Sequence, residues 1–74
     1  MKPQKGDEVL IHGIMEDYGE IVVATPKAYL VKLGIRNEGF WIPSSLCDFA
    51  VTDRGFEATA PEWFVEKVET TEVK

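Results

Sequence analysis

Apolar positions in this chain come mostly in short runs and alternations bounded by Gly, Asp, Asn and Pro, the pattern of strands rather than helices. In "GDEVLIHG", Gly6-Asp7 supplies a turn and Val9, Leu10 and Ile11 a first strand. "IMEDYGE" follows, with Gly13 behind it and Asp17 and Gly19 within it, and is expected to be a surface loop. "IVVAT" and "AYLVKL" read as two strands joined tightly at Pro26-Lys27, with Tyr29, Val31 and Leu33 alternating against Ala28, Leu30 and Lys32. "GIRNEG" predicts a second hairpin turn, "FWI" a strand ended by Pro43, and "PSSL" a single helical turn. In "CDFAV", Cys47, Phe49 and Val51 alternate with Asp48 and Ala50 as a closing strand would. Only "TAPEWFVEKVE" carries helical spacing, opened by Pro61 and Glu62 and continued by Trp63, Phe64 and Val68. The expectation is one mostly β domain over residues 1–74. A small five-stranded antiparallel barrel fills about residues 5–58, a short C-terminal α-helix about residues 60–69, and a frayed tail residues 70–74.

The same alternation separates the roles of "GFWIPSSLC". Phe40 and Ile42 fall on one face of their strand and Trp41 on the other. The reading is that Trp41 is the contact between barrel and helix, with partner binding as its alternative. Trp63 and Phe64 lie about 100° apart on a helix, so one ring docks on the barrel and the other covers an open end or faces a partner. Core filling is assigned to Trp63, and Phe56 joins whichever cluster forms.

Composition narrows the picture. A chain of 74 residues makes one domain with a small core, and 45% hydrophobic and 11% aromatic residues are those of a folded protein. Thirteen acidic residues against eight basic ones give a net charge of -5, so no overall basic field draws phosphate backbones. Direct nucleic-acid binding is not expected, and a basic protein surface is the better electrostatic match. A single cysteine, Cys47, excludes an internal disulfide, and with the single histidine His12 it gives no structural zinc set. Neither a secretory leader nor a membrane-spanning run is visible, and the cytoplasm of a bacterial host cell is the expected compartment.

Two resemblances attach to these stretches. The order "GDEVLIHG", "YGEIVV", "AYLVKL", "FWIPSSL" resembles the strand order of SH3-like and Tudor-like barrels over roughly residues 5–52. "KAYLVKL", "FWIPSSLC" and "APEWFVEK" together resemble a group of small phage and prophage proteins with a Lys-Ala strand, a Trp-Ile-Pro-x-Ser element and a terminal Pro-Glu-Trp helix. Lys27, Ala28, Leu30, Val31, Trp41, Ile42, Pro43, Ser45, Pro61, Glu62 and Trp63 carry that likeness. The chain departs from the group in having Ser44 where a basic residue often stands and in lacking the Gly-Leu that commonly ends the helix. The resemblance implies a mobile-element origin and a binding role, and phage chains of this size include inhibitors of host proteins, among them anti-CRISPR inhibitors of bacterial immunity.

For chemistry, the available ingredients are His12, Cys47, Ser44, Ser45 and scattered carboxylates, and no catalytic motif organises them. Cys47 reads as a small buried hydrophobe and His12 as a solvent-facing strand end. The glycines form neither a phosphate-binding loop nor a dinucleotide fingerprint. No enzyme, cofactor or metal is expected. The best surface candidate is the first loop, where Glu16, Asp17 and Glu20 surround Tyr18 and suit a Lys- or Arg-rich partner through ion pairs and cation-π stacking. Tyr29 and Trp41 are placed in the same groove by the barrel layout. The function expected is a noncatalytic interaction module that binds a host or phage protein with a basic surface. The alternative is a small nucleic-acid-binding barrel of a phage recombination or replication module, for which Lys2, Lys5, Lys27, Lys32 and Arg36 must share one face. A homodimer that buries some aromatics across a two-fold interface stays open.

Overall fold

The computed structural model describes residues 2–46 and 48–73. In chain order these form β1 (Glu8–His12), β2 (Gly19–Ala24), β3 (Ala28–Lys32), β4 (Glu38–Pro43), a 3₁₀ turn (Ser44–Leu46), β5 (Ala50–Val51), β6 (Phe56–Thr59), α1 (Glu62–Lys67) and β7 (Thr71–Glu72). All seven strands join one open sheet in the order β5-β6-β1-β2-β3-β4-β7.

The central meander follows from alternation. Val31 pairs with Phe40 and Tyr29 with Ile42, which stacks four apolar side chains on the inner face, while Leu30 pairs with Trp41 on the outer face. On β2, a bulge between Ile21 and Val23 restores the alternation against β3 after one extra residue. Thr25 closes the β2–β3 turn, its hydroxyl donating to the Ala28 carbonyl at 2.9 Å and accepting from the Ala28 amide at 3.0 Å. Between β3 and β4, Gly34 supplies the positive φ of 58° that the turn requires.

Val9, Ile11, Ile21, Val31, Phe40 and Ile42 are completely shielded from solvent and form the centre of the core. Phe49 meets Tyr29 edge-on at 5.6 Å and Phe56 at 6.1 Å. Tyr29 lies on β3 and Phe56 on β6, with β1 and β2 between them in the sheet, so one ring can touch both only because the sheet curls. Extents of 26 × 26 × 24 Å agree with that curl. Phe64, Val65 and Val68 pack against the same core, so α1 covers part of it.

Four expectations are corrected. The sheet has seven strands rather than five, and it is not purely antiparallel, because β1 and β6 run parallel with Val9 opposite Phe56 and Ile11 opposite Ala58. The anticipated closing strand shrinks to Ala50–Val51, both exposed, and Cys47 lies outside the described residues. The chain instead turns back through Thr52–Gly55 and delivers β6 to β1, because Phe56 and Ala58 are the positions that enter the core. The tail expected to fray contains β7, and Val73 beyond it is buried, its amide donating to the Asn37 carbonyl at 3.0 Å. Gly39 makes this possible: a Cβ there would stand 2.5 Å from the Val31 carbonyl oxygen and 2.7 Å from a Val73 methyl. Finally, Phe64 rather than Trp63 docks on the core; Trp63 is 54% exposed and meets the Phe64 ring edge-on.

Candidate functional site

The outer face of the sheet carries its charges in rows. Glu8 on β1 stands opposite Glu20 on β2, and Glu20 stands opposite Lys32 on β3. Two like charges directly across a ladder repel. That repulsion is offset from both sides, by Lys32 and by Arg54 of the β5–β6 turn, whose Nε donates to Glu8 Oε2 at 3.1 Å.

The β1–β2 loop folds back over this row. Asp17 accepts from the Tyr18 amide at 2.7 Å and lies 3.5 Å from Arg54 Nη1. The Arg54 guanidinium sits 4.5 Å from the centre of the Tyr18 ring, within cation-π range. At its far end the Tyr18 hydroxyl donates to Glu57 Oε2 at 2.6 Å and contacts Thr52 Oγ1 at 3.1 Å. Glu57 is shared, because His12 Nε2 donates to its other oxygen at 2.8 Å. The two hydrogen bonds hold the Glu57 carboxyl below its ordinary pKa, that of Tyr18 most strongly and that of His12 next. The same bond to Glu57 raises the Tyr18 phenol, and the bond to Glu8 raises the Arg54 guanidinium. The arrangement is chemically a cation holder: carboxylates and one aromatic face directed at a guanidinium.

Glu8, Asp17, Tyr18, Glu20, Lys32 and Arg54 line a shallow groove closed at one side by Ile35, at the tip of the β3–β4 hairpin. Ile35 is fully exposed. Glu16 lines the neighbouring groove with Met15, Leu33, Ile35 and Arg36, so Asp17 and Ile35 are common to both.

Of the six residues expected to share a partner-binding face, Glu16, Asp17, Tyr18 and Glu20 are brought together around these two grooves. Tyr29 is not among them; it is 4% exposed and belongs to the core, because alternation along β3 turns it inward with Val31. Trp41 lies elsewhere. It faces outward beside Leu30 and Val23 in a cross-strand apolar row, and it lines a separate groove with Phe64, Lys67 and Val68. Trp41 is 46% exposed there, between β4 and the helix. Sequence reasoning missed Glu8, Ile35, Thr52, Arg54 and Glu57, whose roles arise only when the β5–β6 hairpin is laid against β1.

Lys27 sits in the turn before β3 and Arg36 in the turn after it, at opposite ends of that strand, while Lys32 faces the acidic groove. Among the described residues, no three His, Cys, Asp or Glu side chains converge as a metal-ligand set, and no helix is long and apolar enough to cross a membrane. Comparison with known protein families, with curated proteins and with solved structures gives no match.

Proposed function

We propose that this chain is a noncatalytic protein-interaction module whose outer face, at the lip formed by Glu16, Asp17, Glu20 and Ile35, takes a basic patch on a partner protein. The observation that carries this reading is the placement of a fully exposed Ile35 beside a groove lined by Glu8, Asp17 and Glu20. A large apolar side chain in water gains by being covered, and carboxylates around it select a cationic surface to cover it. The net charge of -5 acts in the same direction at longer range. The finer reading, drawn from the resemblance to phage and prophage proteins, is a curled SH3-like module that inhibits a host defence protein in the manner of an anti-CRISPR. Its carboxylates would occupy a channel that otherwise holds phosphates.

The test uses exposed residues outside the Tyr18 hydrogen-bond network. The triple variant Glu16→Gln, Glu20→Gln, Ile35→Ser is expected to lose a partner captured by the unmodified chain from a bacterial host extract, with its thermal melt unchanged. Capture at the unmodified level overturns the surface assignment. For the finer reading, the captured complex is expected to release bound DNA when the protein is added; retention of DNA in the saturated complex overturns it.

A further inference from the structure

We propose that the Tyr18 ring with the Glu8 and Asp17 carboxylates is a receptor for an arginine side chain, filled in the free protein by Arg54 of the same chain, and that a partner's arginine binds by displacing Arg54. The inference rests on the interaction reading above and names the chemistry of its partner. One guanidinium receives three contacts: the face of Tyr18 at 4.5 Å, Glu8 at 3.1 Å and Asp17 at 3.5 Å. Those contacts come from β1 and the β1–β2 loop, whereas Arg54 arrives from the distant β5–β6 turn.

Host and guest share an anchor in Thr52, but the bonds that hold each of them do not involve the Arg54 side chain. Tyr18 is fixed at its hydroxyl by Glu57 and Thr52, neither of which touches Arg54 through a hydrogen bond. The turn bearing Arg54 is closed by Thr52, whose amide and hydroxyl both donate to the Gly55 carbonyl, at 2.7 and 3.0 Å. Arg54 can therefore swing out without opening either the hairpin or the loop. Its side chain is 53% exposed, and exposed ion pairs and cation-π contacts are individually weak, so the guest is easily replaced. A receptor that keeps its shape when emptied is preorganised for another ligand of the same chemistry. Arginine is selected over lysine because a planar fork can stack on the ring while donating to two carboxylates, and an ammonium cannot do all three.

An internal guest lowers apparent affinity by the fraction of time the site is free, so a site filled about nine-tenths of the time binds about tenfold more weakly than an open one. The experiment is a titration, followed on the Tyr18 ring resonances, of blocked Gly-Arg-Gly and Gly-Lys-Gly peptides into the unmodified chain, Arg54→Ala and Arg54→Gln. Both variants are expected to bind the arginine peptide about tenfold more tightly than the unmodified chain does. The gain for the lysine peptide, which controls for the lost positive charge, is expected to be several-fold smaller. Equal affinity of variants and unmodified chain, or equal gains for the two peptides, overturns the proposal; the Gln variant decides should the Ala variant fail to fold. The triple variant above retains Glu8, Asp17, Tyr18 and Arg54. Partner capture that it loses, combined with no gain on opening the Arg54 site, overturns the arginine receptor alone. A gain on opening, with capture unaffected by the triple variant, overturns the broader surface and supports the receptor.

Discussion

At the scale of single residues, the Tyr18–Glu57 hydrogen bond ties a surface loop to β6, and its sign under titration is fixed. The bond lowers the Glu57 carboxyl below its ordinary value, so its stabilisation is complete above the ordinary carboxylate pKa and is lost as pH falls through the lower folded value. It also raises the Tyr18 phenol, so on the alkaline side stabilisation is complete below the ordinary phenol pKa and is lost as pH rises through the raised one. Tyr18→Phe is expected to flatten both flanks, leaving on the acid side only the part due to His12. Urea midpoints measured from about pH 3 to about pH 12 check this, and parallel profiles for the two proteins would contradict it. Adjacent positions on β4 give a second test of residue-scale reasoning. Phe40 is fully buried and Trp41 is half exposed, so Phe40→Ala should cost about 3–5 kcal/mol, most of the stability of a domain this small. Trp41→Ala should cost about 1 kcal/mol or less, and thermal melts of the pair would show whether one residue's shift along a strand makes that difference.

At the scale of elements, legibility followed the strength of local patterning. The strands from β1 to β4 carry apolar runs or alternations with explicit turn residues between them, and all four form where the pattern places them. β6 carried a weaker signal. "FEAT" alternates over only four residues and contains Ala58, a poor strand former, and what makes it a strand is pairing with β1 far away in sequence. β7 had less signal still: two polar residues held because Val73 fills the space over Gly39. The helix expected over 60–69 ends at Lys67, where Val68 takes an extended ψ of 132° and turns toward the core. Val73 should therefore anchor the C-terminal strand. Val73→Ala is expected to cost about 1–2 kcal/mol and to leave the Val73 amide, bonded to Asn37 in the unmodified chain, without protection from hydrogen exchange. Protection equal to that of the parent chain would mean that β7 holds through its ladder alone.

For the whole molecule, the candidate site was half legible for a reason of topology. The acidic-aromatic loop is contiguous, so Glu16, Asp17, Tyr18 and Glu20 could be read together. Glu8, Arg54 and Glu57 come from segments that meet only once β6 lies parallel to β1, and no local pattern announces a parallel crossover. That same crossover makes a kinetic prediction. β2, β3 and β4 are sequence neighbours joined by short turns, so their pairing closes small loops at little entropic cost. The β1–β6 ladder closes a loop that contains the entire meander, and its entropy must be lost before its contacts form. The meander should therefore be structured in the folding transition state and the β1–β6 ladder should form after it. Val31→Ala, in the middle of β3, is expected to slow folding with a φ-value above about 0.5. Phe56→Leu on β6 is expected to act mainly by speeding unfolding, with a φ-value below about 0.3. Chevron plots of the two variants measure both quantities, and a high φ-value at Phe56 with a low one at Val31 would reverse the order. In the expected order, Tyr18, Glu8 and Arg54 come together late, because the hairpin that carries Arg54 is positioned by the last ladder to form.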